Sequence, residues 1–112
     1  KIAFLSGGTG HPYFSTDTAS VLRSLELSCE MMIKCTSVDG IYSADPKKDP
    51  TAQKLSTVTY SDILTKNLRI MDQASIALAR DHELKIGVCH IDTLSSLSNL
   101  AKGIFEGSTI QK

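Results

Sequence analysis

The sequence predicts an α/β fold, in which a mainly parallel sheet lies between two layers of helices in a three-layer αβα sandwich. Short apolar runs alternate with segments whose apolar residues are spaced by three and four, in the order β-α-β-loop-α-α-β-α-β. The apolar runs are continuous, as in strands buried on both faces. About four strands are expected, so at least one sheet edge needs a neighbour. The 112 residues fit one domain, residues 1–112.

The first predicted unit is a strand, a glycine-rich turn and a helix. Ile2–Leu5 is an apolar run typical of a buried strand, and the helix is expected from about Thr16 to Ser28. Met31–Cys35 predicts an interior strand, which a right-handed crossover would place parallel to the first. The pair Asp39-Gly40 marks a turn, and residues 47–53 form a polar surface loop.

The second half of the chain repeats the pattern of helices and strands. A short helix is predicted to be capped by Ser61 and to end at Lys66, and a second helix is predicted over Met71–Glu83. A strand over Ile86–Ile91 follows, and a last strand is predicted over residues 108–110. Between these strands a helix carries Leu94, Leu97 and Leu100; Asp92 or Thr93 is its predicted cap, and Gly103 its predicted end.

Composition excludes several classes of protein. Twelve basic and twelve acidic residues cancel, and aromatic residues make up only 5%, which argues against a nucleic-acid-coating surface. The three cysteines form no C-x-x-C pair and are expected to be free thiols of a cytoplasmic protein. No run approaches the ~20 apolar residues of a membrane span. Because Lys1 leads directly into an apolar run, we expect further residues upstream and no signal peptide.

The glycine-rich stretch from Ser6 to Asp17 is the first candidate site. Its glycines allow a sharp turn and close backbone approach to a ligand, and the N-terminus of the following helix offers free N–H groups to a phosphate. The stretch matches neither G-x-G-x-x-G nor a P-loop, so a turn that binds nothing stays an alternative. Asp17 is equally suited to be simply a residue of the first helical turn.

A second candidate loop, residues 36–46, begins at the carboxyl end of the second predicted strand. Ligands bind at that end of open α/β sheets, so the two loops would lie side by side. Asp39 and Asp45 could hold Mg²⁺ through water against phosphate oxygens, and Tyr42 could flank a purine. Lys34 ends the strand facing the same rim. The alternative is a turn with a capping Asp and a packed Tyr.

The chain resembles the C-terminal half of bacterial uridylate kinases, in the amino-acid kinase superfamily, over nearly its whole length. Gly7-Gly-Thr-Gly-x-Pro-x-Phe-Ser-Thr-Asp17 is similar to the family's UMP-side loop, and Lys34-x-Thr-x-Val-Asp-Gly-x-Tyr-x-x-Asp-Pro46 to its ATP-side loop. The second motif also occurs in relatives such as glutamate 5-kinase. The first motif, with Met71-Asp72, favours the uridylate kinases.

The resemblance implies a role for individual residues. Asp17 matches a catalytic carboxylate that organises the transfer site, and it could orient a lysine or Mg²⁺. The residues that match the UMP-binding segment are Thr9, Gly10, His11, Pro12, Tyr13, Phe14, Ser15 and Thr16. The residues that match ATP-contacting positions are Thr36, Tyr42 and Asp45. Mg²⁺ is expected as a cofactor with ATP, and no residue is assigned as a direct ligand of a metal.

The implied activity is transfer of the ATP γ-phosphoryl group to UMP, giving UDP for pyrimidine nucleotide biosynthesis. A cytoplasmic homohexamer with GTP and UTP as effectors is also implied. The family's N-terminal phosphate loop and its lysine are not among these residues, so the chain alone is expected to be incomplete and inactive. Two alternatives stay open, namely another family member such as glutamate 5-kinase, or a non-catalytic relative that binds nucleotides or oxoanions.

Overall fold

The structure is a computed structural model that describes residues 3–91, 98–99, 101–103, 105 and 107–112. Within them the chain forms three helices and six strands. In chain order these are α1 (Thr16–Glu26), β1 (Met31–Thr36), β2 (Ile41–Tyr42), β3 (Lys54–Leu55), β4 (Thr57–Thr59), α2 (Tyr60–Thr65), α3 (Gln73–Asp81), β5 (Lys85–His90) and β6 (Ser108–Gln111).

The main sheet has the strand order β1-β5-β6-β4 and is mainly parallel, as predicted. β1 is parallel to β5 and β4 is parallel to β6, whereas β5 and β6 are antiparallel. The short strands β2 and β3 form a separate antiparallel pair. β1 therefore lies at one edge of the sheet, and its carboxyl end leads directly into the second candidate loop.

The core lies between this sheet and the helices. α1 packs against α3 and against β1. The side chains of Val21, Ile76, Ile86 and Ile110 are almost completely inaccessible to solvent. The hydroxyl of Tyr60 donates a hydrogen bond to the carbonyl of Leu84 inside this core, and burial raises the pKa of the Tyr60 phenol. Among the described residues, no helix is both long and apolar enough to cross a bilayer.

The helix starts follow from side-chain capping. Ser15 caps α1 by accepting from the amide of Thr18. The predicted cap of α2, Ser61, is wrong by two residues. Thr59 is the cap, because Thr59 and Asp62 satisfy each other's backbone amides in a capping box, which Ser61 cannot build at its position.

The predicted strand Ile2–Leu5 is wrong over its described residues. Residues 3–5 form no strand, and Phe4 and Leu5 are 94% and 63% exposed. Apolar sequence favours burial, but a strand also needs a partner for its backbone groups, and these residues pair with no described strand. The predicted crossover from this strand to β1 is consequently absent as well.

The rest of the expected order is confirmed where it can be compared. β2, β3 and β4 were not predicted as strands, because two or three residues carry no periodicity. The helix expected after Asp92 or Thr93, with its leucines at 94, 97 and 100, falls mostly outside the described residues. Gly103 is described and has a φ of 82°, a conformation suited to a residue that follows a helix.

Candidate active site

Asp17 and Lys34 form an ion pair that joins the start of α1 to the carboxyl half of β1. The ammonium nitrogen of Lys34 lies 3.2 Å from Oδ2 of Asp17 and donates to the carbonyl oxygen of Ile70 at 2.9 Å. The two side chains are 26% and 28% exposed, so the pair is largely shielded but still reachable by a ligand. Lys34 thus ties the first candidate loop to the segment before α3.

Lys34 also faces a cleft of about 520 Å³ at the carboxyl end of β1. All three residues predicted to contact ATP line this cleft, namely Thr36, Tyr42 and Asp45. The side chains that give the cleft its charge are the cations of Lys34, Lys48, Lys66 and Arg69 and the carboxylate of Asp45. Lys34 and Lys66 are paired with Asp17 and Asp62, but the cations that line the cleft still outnumber its one lining carboxylate, which suits a polyanionic ligand such as a triphosphate.

The side chain of Tyr42 is fixed by Asp39. Its hydroxyl donates to Oδ1 of Asp39 at 2.6 Å, and Lys54 lies 3.5 Å from the other carboxylate oxygen. The bond from Tyr42, aided by the charge of Lys54, lowers the pKa of the Asp39 carboxyl, and the same bond raises the pKa of the Tyr42 phenol. Asp39 therefore orients Tyr42 and does not itself line the cleft, which leaves Asp45 as the carboxylate there.

Asp45 sits in a turn that its own backbone and side chain build. Its Oδ1 accepts from the amide of Lys47 at 2.9 Å, and its carbonyl accepts from the amide of Asp49 at 2.8 Å. Its second carboxylate oxygen has no protein partner within the described residues, which also contain no cluster of three or more metal-binding side chains. A single exposed carboxylate fits Mg²⁺, which keeps most of its waters and relies on substrate phosphates.

Asp72 links the starts of two helices. It caps α3 by accepting from the amide of Ser75 at 2.8 Å, and it also accepts from the hydroxyls of Ser15 and Thr18 at the start of α1. Partial burial alone would raise the pKa of Asp72, but the hydrogen bonds from Ser15, Ser75 and Thr18 outweigh it and the pKa is lowered. Asp72 therefore holds the end of the predicted UMP loop against α3.

The remaining predicted UMP residues are mostly exposed. Thr9 accepts from the amide of His11 at 3.1 Å in a local turn, whereas Tyr13 is fully exposed with a φ of 71° and Phe14 is 55% exposed. Thr16 lines a second groove, of about 770 Å³, between the glycine turn, α1 and β1. The structure thus gathers the three ATP-side residues in one cleft but does not gather residues 9–14 around either cavity.

Sequence reasoning assigned no site role to Asp72, Lys66 or Arg69. Lys34 was noticed only as a strand residue that faces the ligand rim. A lysine within the apolar run Met31–Cys35 was the available signal, since an unpaired charge inside a strand is expensive. Nothing in the local sequence marks Lys66 or Arg69, because their proximity to the cleft depends on how α2 packs.

Comparison with known proteins shows which family the chain is similar to. A family model described as the amino acid kinase family matches residues 2–90. The chain belongs to the amino acid kinase family. It is 41% identical over 112 residues to a uridylate kinase of Rickettsia bellii and 44% identical over 111 residues to a uridylate kinase of Saccharophagus degradans.

Solved structures show the same likeness. The chain superposes on a UMP kinase from Bacillus anthracis with a TM-score of 0.88, at 31% identity over 93% of this chain and 43% of that one. A UMP kinase from Ureaplasma parvum gives a TM-score of 0.87, at 31% identity over 94% of this chain and 45% of that one. These likenesses confirm the predicted fold class, a partial three-layer αβα amino-acid kinase fold with a mainly parallel sheet.

The match covers this chain almost completely but the relatives only in part. The match to the Rickettsia bellii protein includes 100% of this chain and 47% of that protein. The match to the Saccharophagus degradans protein includes 99% of this chain and 45% of that protein. The chain therefore spans about half the length of the curated relatives it matches.

Proposed function

We propose that this chain is part of an enzyme that transfers the γ-phosphoryl group of ATP to UMP, giving ADP and UDP. One observation carries the proposal. Lys34 contacts Asp17, at the end of the UMP-side loop, and also lines the cleft that contains Thr36, Tyr42 and Asp45. A single ammonium group thus connects the two loops between which a phosphoryl group would move. The relatives named uridylate kinase and UMP kinase support the same reaction.

The chemistry needs charge and position more than proton transfer. The phosphate of UMP is already ionised near neutral pH, so no general base is required. The transferred group carries its charge on peripheral oxygens, which a fixed cation can stabilise. In the proposal Lys34 supplies that cation, and Asp17 together with the carbonyl of Ile70 holds it in place.

The two ligands have separate sites in this proposal. Thr36 and Tyr42 contact ATP in the cationic cleft, with Lys66 and Arg69 contributing charge. Residues 9–16 bind UMP, largely through backbone groups. Asp45 takes part in holding Mg²⁺, which when bound neutralises phosphate charge.

The test is a phosphorylation assay on the full-length protein with UMP and glutamate side by side. The proposal expects ATP consumption that depends on UMP and yields UDP. ATP consumption with glutamate alone would overturn it in favour of an acyl-phosphate-forming member of the family. ATP and UMP binding measured by calorimetry with no turnover of either acceptor would overturn it in favour of a non-catalytic binding protein.

The same resemblance extends to assembly and control. We propose a cytoplasmic homohexamer that GTP activates and UTP inhibits. Sedimentation velocity of the full-length protein would test the assembly, and a monomer or dimer at working concentration would contradict it. Assays at fixed ATP and UMP with added GTP or UTP would test the effectors, and rates that neither nucleotide changes would contradict that part.

A further inference from the structure

Two cysteines face each other across the first two strands of the main sheet. Cys35 on β1 and Cys89 on β5 are direct partners in the parallel register. Their sulfur atoms are 3.6 Å apart. Neighbouring strands lie roughly 4.8 Å apart, inside the range of roughly 4.4–6.8 Å between the Cα atoms of disulfide-bonded cysteines. The backbone therefore already has a spacing that a disulfide accepts, and closure requires mainly side-chain rotation.

The two thiols differ in access. Cys35 is half-buried, whereas Cys89 is 6% exposed. Burial, with a further contribution from the hydrogen bond and charge of Cys35, raises the pKa of Cys89 to about 11. A small oxidant would therefore meet Cys35 first, and Cys89 would react second, from inside the protein.

We propose that Cys35 and Cys89 form a reversible intrachain disulfide by exchange with a small disulfide such as oxidised glutathione. The Cys35 thiolate attacks one sulfur of the small disulfide, forming a mixed disulfide and releasing one small thiolate. Cys89 then loses its proton and attacks the sulfur of Cys35, which releases the second small thiolate. Two protein thiols are oxidised and one small disulfide is reduced to two thiols, so the exchange balances.

The bond would form directly behind the candidate ATP cleft. Successive side chains of a strand point to opposite faces, so Cys35 points away from the face on which its neighbours Lys34 and Thr36 line the cleft. Lys34 pairs with Val88 in the same register, and both line the cleft. The most common Cα separation of disulfide-bonded cysteines, roughly 5.5–6 Å, is somewhat larger than the strand spacing, so closure adds a small adjustment of β1 and β5 that shifts Lys34 and Val88 on the other face. This consequence rests on the proposed function: the oxidised protein should bind ATP severalfold more weakly.

The experiment uses full-length protein carrying Cys29→Ser, which removes the exposed third cysteine of this chain. Treatment with oxidised glutathione should lower the mass by about 2 Da, the two thiol hydrogens, and leave no glutathione adduct. A Cys35–Cys89 cross-linked peptide should appear after proteolysis, and a reducing agent should restore the original mass. The reaction should accelerate as the pH rises above 8, because Cys89 must lose its proton.

Matched variants separate the two steps. With Cys89→Ala added, Cys35 should keep a stable glutathione adduct; with Cys35→Ala added, the buried Cys89 should react at least tenfold more slowly than Cys35. A stable glutathione adduct on Cys35 in the Cys29→Ser protein, or a covalent dimer through Cys35 or Cys89, would overturn the disulfide. The peptide cross-link needs no further substitution, so it decides the matter even if one variant fails to fold. Unchanged ATP affinity with the disulfide formed would overturn the coupling, whereas absent ATP binding in both forms would overturn the proposed function.

Discussion

Replacing Lys34 by methionine is the sharpest test of the candidate site. Methionine keeps the length of the side chain and removes its charge. At the observed 3.2 Å, the attraction between Lys34 and Asp17 is roughly 5 kcal/mol at an effective dielectric of about 20, before desolvation is subtracted. Since both side chains are about a quarter exposed, we expect a net contribution of only about 1 kcal/mol to the free energy of unfolding.

The catalytic loss should be larger than the loss of stability. A fixed donor aimed at developing transition-state charge contributes about 10²–10³ to kcat, or about 2.7–4 kcal/mol. We therefore expect Lys34→Met to lower kcat by at least about 100-fold, with little change in KM for UMP, while the Tm of the full-length protein falls by about 2–4 °C. The assay is steady-state ADP release by the full-length protein, beside thermal unfolding of the same samples.

Lys85→Met is the matched control, because Lys85 is an exposed lysine at the start of β5 and should keep full activity. Asp17→Asn and the double variant complete a double-mutant cycle. If Asp17 acts by holding Lys34 in place, the effects of the two substitutions on kcat should be less than additive. A Lys34→Met enzyme that is destabilised as expected but keeps kcat within about threefold would refute the reasoning and leave Lys34 a structural residue.

Three further predictions follow from the same contacts. Asp45→Asn should raise KM for Mg·ATP more than the Kd for UMP, and equal losses in steady-state and calorimetric measurements would contradict the assigned role. Thr59→Ala should cost about 1 kcal/mol in urea unfolding by removing the α2 cap, whereas Ser61→Ala should cost nothing measurable. Asp72→Asn should lower stability at pH 7: although partial burial opposes it, hydrogen bonding from Ser15 and Ser75 lowers the folded pKa of Asp72 below the unfolded ~3.9. This stabilisation is present above the unfolded pKa. The difference in free energy of unfolding between the unsubstituted protein and Asp72→Asn should therefore shrink as the pH falls from about 5 through the folded pKa. A difference that grows in acid would contradict the reasoning.

Local sequence was enough to predict the elements that carry their own signal. α1 and α3 have apolar residues at helical spacing, and β1 and β5 are continuous apolar runs, so all four were predicted within a few residues of their observed bounds. The error at α2 is of a different kind. Thr59 and Ser61 are both suitable caps by residue type, and only the reciprocal bond from Asp62 decides between them.

The failure of the strand prediction over residues 3–5 shows what periodicity leaves out. This run is as apolar as β1, yet residues 3–5 form no strand, whereas β1 hydrogen-bonds to β5 along its whole length. Strand formation depends on a partner that is often distant in sequence, and burial preference alone does not supply one. For the same reason the exposure of Tyr13 and Phe14 could not be read from the loop's composition.

The candidate site was predictable where its residues follow one another and unpredictable where they meet through packing. Thr36, Tyr42 and Asp45 belong to one loop, so a single motif located all three beside one cleft. Lys34 and Asp17 are 17 residues apart, and Ser15 and Asp72 are 57 apart. No local pattern predicts such contacts.

These distant contacts determine how the two loops stand relative to each other. Asp72 holds the start of α1 against α3 by accepting hydrogen bonds from the hydroxyls of Ser15 and Thr18. Lys34 contacts both Asp17, in the first turn of α1, and the carbonyl of Ile70. Both contacts involve the short segment of residues 70–72, of which Ile70 lines the cationic cleft. The position of Asp17 relative to the cleft is therefore set by contacts among α1, β1 and the start of α3, whereas residues 10–14 are exposed. In the proposed function, UMP that contacts residues 10–14 would find Lys34 and Asp17 already held in place, which is the preorganisation that phosphoryl transfer requires.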